Sequence, residues 1–245
     1  MKGGLLIILS VLCGSLFVSI IGCSDPRVET ALRRASELIE EYPDSARVVL
    51  DSIDSLHLRK GNAALYAVLD AQSRHKLYMS PPASDSLLNI AVDRYSSHGP
   101  DSMLMKAFFY RAIKHQGEMD LENATHDAIC SWEVAKSLKN SYWEAKDAEL
   151  LADMAAIIQN YQEELKWRRI AADSYKKAGK TENYLYALCD VSSSYLNLRD
   201  SINACCLDDS IQNILPKYKE NVNLQLYHAN SSIYIQNTYG RINYA

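Results

Sequence analysis

The stretch LADMAAIIQNYQEELKWRRIAADSYKKAG, residues 151–179, decides the fold. Ala152 and Ala155 place small residues inside one helix, and Asn160 marks a turn. Tyr161, Trp167, Ala171 and Tyr175 then populate a second helix, which Gly179-Lys180 ends. The pattern recurs along the chain. Ala112, Ala152 and Ser192 lie forty residues apart, and twelve residues beyond each stand Ala124, Glu164 and Ala204. Small residues at these two places let the helices of one hairpin approach closely. Tyr110, Trp132 and Tyr195 fill the spaces between helices, as Trp167 and Tyr175 do, and further turns fall at Gly117 and Arg199-Asp200. Self-similarity at a period of roughly 20–50 residues is the mark of a stacked array of hairpins.

The same periodicity extends upstream. Val28, Ala31, Leu32, Ala35, Leu38 and Ile39 share one face of a helix over 28–41, with Asp25 as a cap and Tyr42-Pro43 as its end. Asp44-Ser45 opens a second helix through Ile53. A third covers Asn62–Tyr78 and stops at Ser80-Pro81-Pro82, since a residue before proline is pushed out of the helical region. Ser84 or Asp85 caps a fourth, which His98-Gly99-Pro100 closes. Short loops make successive helices antiparallel. The low content of helix breakers, nine Gly and six Pro in 245 residues, agrees with an all-α chain.

The N-terminus is different in kind. Lys2 precedes an apolar run, Leu5–Ile21, that is short for a membrane span and carries Ser10, Gly14, Ser15 and Ser19. It reads as a secretory signal peptide. Ile20-Ile21-Gly22-Cys23 resembles the lipobox of bacterial lipoproteins, which implies cleavage before Cys23 and lipidation of that residue. The mature chain then carries 25 basic and 30 acidic residues, a net of −5, which argues against a nucleic-acid partner. No second apolar stretch reaches the length of a span, so the lipid is the only membrane contact expected.

Leu151-Ala152, Ala155, Tyr161 to Leu165, Ala171 and Tyr175 to Gly179 resemble a tetratricopeptide repeat. Val191-Ser192, Tyr195, Arg199-Asp200 and Ala204 resemble it again, as do Ser231, Tyr234 and Gly240. Glu164 departs from the Ala of that repeat and Arg168 from its aromatic, and the period is longer than usual. The resemblance implies a right-handed solenoid of degenerate repeats. Pro43 to Ala46, Leu50 to Ile53, Ala67 to Leu69, and Asp85 to Leu87 with Ala91, Tyr95 and His98-Gly99 are similar to lipoproteins of anaerobic gut Gram-negative bacteria. Many members of that group add a transmembrane helix and a cytoplasmic helix-turn-helix module. The organisation expected is a signal peptide over 1–22, a lipidated tether over 23–27, helical hairpins over 28–99 and repeats over 100–217. Residues 218–245 read as an unfinished last hairpin with Tyr227, Ile233, Tyr234 and Ile235 uncovered, which predicts a truncated product ahead of the alternative that the last helix packs elsewhere.

Chemistry-bearing patterns are scarce. The six His show no i, i+4 zinc spacing, and phosphate loops and nucleophile elbows are missing. Asp208-Asp209 and Glu40-Glu41 diverge on a helix and read as solvated, and Asp127 and Glu133 suggest no acid–base pair. Cys130, Cys189, Cys205 and Cys206 read as small buried residues, with Cys189 and Cys205 the one pair able to meet across a hairpin. No catalysis, metal or cofactor is expected. Asp44, Asp85, Asp101 and Asp200 suit helix caps. The bacterial group O-glycosylates Asp-Ser/Thr-apolar triplets, which makes Ser45, Ser86, Ser102 and Ser201 acceptors by resemblance. Tyr110, Trp143, Tyr184 and Tyr186 are the candidates for a concave peptide-binding groove. The functional expectation is a lipid-anchored, periplasm-facing or surface-exposed scaffold of the cell envelope that binds a protein or peptide. The alternative is the sensory part of a membrane-bound transcriptional regulator, and a glycan-binding lipoprotein ranks lower.

Overall fold

A computed structural model describes residues 25–82 and 86–239. The segment expected to be a signal peptide, Cys23, the cap candidates Ser84 and Asp85, and residues 240–245 lie outside the described residues. Among those described the chain is all-α, with eleven α-helices, two short 3-10 turns and no strand. The helices are α1 (Pro26–Leu38), α2 (Pro43–Asp51), α3 (Lys60–Lys76), α4 (Ser86–Ser97), α5 (Asp101–Gly117) and α6 (Leu121–Ser137). They continue as α7 (Ser141–Ile157), α8 (Tyr161–Lys177), α9 (Thr181–Asn197), α10 (Ser201–Ile214) and α11 (Val222–Tyr239). No helix among the described residues is long and apolar enough to cross a membrane.

From α5 to α9 each helix has 17 residues, and a three-residue link follows it. The link is built the same way five times. Met119, Lys139, Gln159, Gly179 and Arg199, at intervals of twenty, adopt positive φ between 54° and 67°. The next residue donates its N–H back across the helix end: Asp120 to His115, Asn140 to Ala135, Asn160 to Ala155, Lys180 to Tyr175 and Asp200 to Tyr195, at 2.9–3.0 Å. This is the Schellman closure that satisfies orphan carbonyls. The same residue then caps the following helix. Asp120, Asn140, Asn160 and Asp200 each accept from the N–H three positions on, at 3.1–3.3 Å, whereas Lys180 has no side-chain cap.

Asp25 also caps α1, through the Arg27 N–H at 2.9 Å. Two of the expected aspartate caps are corrected. Pro43 occupies the first turn of α2 behind an N-cap at Tyr42, so Asp44 falls inside the helix as a first-turn acid. Pro100 is the N-cap of α5, which makes Asp101 its first helical residue.

Helices pack in chain order, each on its neighbours. The odd-numbered helices also touch one another, α1 with α3, α3 with α5, α5 with α7 and α9 with α11. They form an inner layer, with the even-numbered helices outside it. Ala112, Ala124, Ala152 and Ala204 are fully buried, and Ser192 and Glu164 are 1% and 4% exposed. Glu164 accepts from Ser194 (2.9 Å) and Asn197 (3.2 Å), so two donors of α9 meet the carboxylate that stands in the place of a small residue. Ser192 donates to the Ala204 carbonyl at 3.1 Å.

Several other buried charges are paired between helices. Arg111 forks onto Asp127 at 2.6 and 2.8 Å and reaches Asn89 at 2.8 Å, joining α4, α5 and α6. Arg47 links Asp51 and Asp70 across α2 and α3. Asp208 corrects the expectation of a solvated acid. It is 5% exposed, faces His228 Nε2 at 2.8 Å and accepts from Ser232 at 2.9 Å, because α11 folds onto α10. All four described cysteines are free thiols, and only Cys189 is buried. Tyr227, Ile233 and Tyr234 are exposed, but Ile235 is buried against Leu196 and Ala204 where α11 meets the preceding hairpin.

The left-handed links carry a measurable strain, since only glycine adopts positive φ without a Cβ penalty. Lys139→Gly is expected to stabilise the fold by about 0.5–1 kcal/mol, a rise in Tm of roughly 1–4 °C. Gly179→Ala is expected to lower it by a similar amount. Thermal unfolding of both variants checks the pair, and changes of the opposite sign contradict this conformation of the links.

Candidate functional site

A cavity of about 970 Å³ opens on the inner layer. Its walls come from consecutive odd-numbered helices: Gln72, His75 and Lys76 on α3, Tyr110 and Ile113 on α5, Tyr142, Trp143, Lys146 and Glu149 on α7, and Asn183 on α9. Glu40 closes one end and Tyr175 of α8 supports the floor, while Tyr78 to Pro82 form the rim. This volume falls in the range of sites that enclose a small molecule or a segment of a longer one.

The floor is an aromatic cluster. Phe109 packs edge-on against Tyr110 (centroids 5.2 Å) and Trp143 (5.1 Å), and His75 sits over both Phe109 and Tyr110. Lys146 lies on this floor, its Nζ 4.6 Å from the Phe109 centroid and 4.7 Å from that of Trp143. Ring faces carry negative potential, so the cation is held by them rather than by a carboxylate. One turn along α7, Glu149 accepts from the Tyr175 hydroxyl at 2.7 Å. Glu40 pairs with Lys76 at 2.9 Å and Lys106 at 3.6 Å and accepts from Gln72 at 2.7 Å.

Burial shapes the titration of these groups. Desolvation brings Lys146 down to about 8, against the opposing pull of Glu149, Asp147 and Glu40. Desolvation also raises Glu149 to about 7, the Tyr175 hydrogen bond opposing it. Burial against the rings, with Lys146 and Lys76 nearby, keeps the His75 imidazole neutral at physiological pH. Behind the floor, Asp147 is fully buried, and burial pushes its carboxyl well above the usual range.

Of the aromatics expected to line a groove, Tyr110 and Trp143 meet in this cavity, but they are 3% and 8% exposed and form its floor. Tyr184 lines a separate cleft with Leu188 and Tyr195. Tyr186 packs edge-on against Tyr227 of α11, at 5.2 Å. Lys146, Glu149 and Tyr142 escaped notice in the sequence. The available signal was Tyr142, Lys146 and Glu149 at i, i+4 and i+7, which share one face of a helix. The serines proposed as glycan acceptors divide by position: Ser45, Ser86 and Ser102 are exposed, and Ser201 is half-buried. No group of three metal-ligating side chains occurs among the described residues. No family model matches the chain, and no curated protein does either.

Asp147 supplies a pH test. A carboxyl whose folded value is raised stabilises fully while protonated, below its ordinary value of 3.8, and that stability is lost as pH climbs toward the folded value. Asp147→Asn keeps the shape and removes the ionisation. The variant is expected to gain stability over the parent as pH rises from 3 to 8, by roughly 1–3 kcal/mol. Urea unfolding of both chains across that range measures the difference, and a gap independent of pH contradicts the buried acid.

Proposed function

We propose that this protein is a lipid-anchored scaffold of the cell envelope that binds a segment of another protein in the inner-layer cavity. The single observation that carries this reading is the lining of that cavity by four consecutive odd-numbered helices. In a right-handed solenoid of tetratricopeptide type, the inner helices present such a concave surface to an extended peptide. The links at twenty-residue intervals and the odd-helix layer support that architecture. On this reading Cys23 carries the lipid, and the short tether to Pro26 holds α1 close to the bilayer. The buried state of the Tyr110 and Trp143 rings leaves little face for stacking a sugar, which weighs against a glycan-binding role.

Two experiments test the parts separately. A photo-crosslinking residue at Tyr142, on the cavity wall, is expected to capture a discrete partner in the native envelope. The same residue at the exposed Glu133 of α6 is expected to capture none. Equal capture at both positions contradicts a partner in the cavity. Metabolic labelling with palmitate is expected to mark the full chain and to be lost in Cys23→Ala, which then accumulates as uncleaved precursor. Retained label in the variant contradicts lipidation at Cys23.

A further inference from the structure

Lys146 departs from the charge pairing of the rest of the cavity. Lys76 and Lys106 both reach Glu40, and Arg74 bonds Asp70 at 3.0 Å. Lys146 has no carboxylate within ion-pair distance among the described residues, and its ammonium lies on the Phe109 and Trp143 rings. The titratable groups around it are Glu149 and, behind the floor, Asp147 on its own helix, Glu40 after α1, His75 and Lys76 on α3, and Lys106 on α5, whose Nζ lies 5.7 Å from the Trp143 centroid. Tyr142 and Tyr175 complete the surroundings. Glu149 is engaged by the Tyr175 hydroxyl and Glu40 by two lysines, so neither neutralises Lys146 directly.

A cation desolvated on an apolar floor, facing open space, attracts an anion more strongly than a hydrated surface lysine does. We infer that Lys146 is the anchor for a carboxylate that enters the cavity with the ligand, its apolar body lying along Ile113 and Tyr142. The inference rests on reading the cavity as a binding site and adds the charge of what it binds. A free organic acid and an acidic side chain within a bound segment supply the same chemistry. Nearby groups set a pH dependence with a definite sign: affinity falls as pH rises through about 8, where Lys146 loses its proton, and improves below about 7, where Glu149 gains one.

The test uses the full chain in detergent and four probes: benzoate, its neutral counterpart benzamide, and the blocked tripeptides acetyl-Gly-Glu-Gly-amide and acetyl-Gly-Gln-Gly-amide. Calorimetry is expected to show saturable binding of benzoate or of the Glu tripeptide, roughly tenfold or more tighter than its neutral counterpart, with the loss above pH 8. Binding of benzoate alone assigns the site to free acids, and binding of the Glu tripeptide to acidic segments. Lys146→Met is expected to abolish the preference, while Lys106→Gln retains it.

A second measurement avoids any folding defect of the variant. On the parent chain, acetylation of Lys146, read by peptide mass, is expected to slow several-fold with the carboxylate probes and not with the neutral ones. No preference for either carboxylate, or equal protection by neutral probes, overturns the inference. Because these probes need no partner protein, they fail independently of crosslinking at Tyr142.

Discussion

The structure depends on reversing a helix within three residues without leaving backbone groups unsatisfied. Four carbonyls at the end of one helix and four N–H groups at the start of the next lack partners within their own helix. The repeated link resolves both with one residue in the left-handed region and one shared cap. At Met119-Asp120, Lys139-Asn140 and Gln159-Asn160 the second residue closes the helix behind it and opens the helix ahead. The strain at a non-glycine residue with positive φ, of order 1 kcal/mol, is tolerated because two helix ends are completed in return. A fixed link and a fixed helix length of 17 residues place every other helix on the same side, and the two layers follow.

Small residues then determine how close the layers come, and paired charges determine their register. Ala112, Ala124, Ala152 and Ala204 exclude solvent completely at the hairpin contacts. Between them sit polar pairs that a shifted helix would break: Arg111 with Asp127 and Asn89, Glu164 with Ser194 and Asn197, and Arg168 with Asp153 and Asp190. A buried ion pair contributes little net stability, since desolvation offsets the Coulomb attraction. Its loss on one side leaves an uncompensated charge, so these pairs penalise wrong register more than they stabilise the right one. Glu164 and Arg168 connect α8 to α9 and α7.

The cavity is a by-product of the same layering, with one addition. Side-by-side inner helices leave a trough, and α7 contributes Tyr142, Lys146 and Glu149 to it along one face while its alanines face the neighbouring helices. Desolvation disfavours the Lys146 ammonium there, Glu149, Asp147 and Glu40 oppose it, and the aromatic floor lies under the charge. Two groups titrating around 7 and 8, one turn apart, make the electrostatics of this trough sensitive to modest changes in pH.

Much of the fold was legible from residue order alone, because helix propensity, caps and the spacing of small residues are local properties. The forty-residue recurrence of Ala112, Ala152 and Ser192 and the breaks at Asn160, Gly179 and Asp200 marked the hairpins. The left-handed residues Met119, Lys139 and Gln159 were not legible, since side chains of those types carry no signal for positive φ. The candidate site was read only in part. Aromatic content pointed to Tyr110 and Trp143, but whether a ring presents its face or is covered depends on neighbours distant in sequence. Phe109 reaches Trp143, and His75 reaches Phe109, only after α3, α5 and α7 lie side by side. Asp208 was misread for the same reason: its partners His228 and Ser232 arrive from α11. The sequence by itself determined the all-helical character, the hairpin period and the places where the chain turns. Tertiary structure alone decided which charges are buried, paired or left facing the cavity, because desolvation and ion pairing depend on which surfaces meet in space.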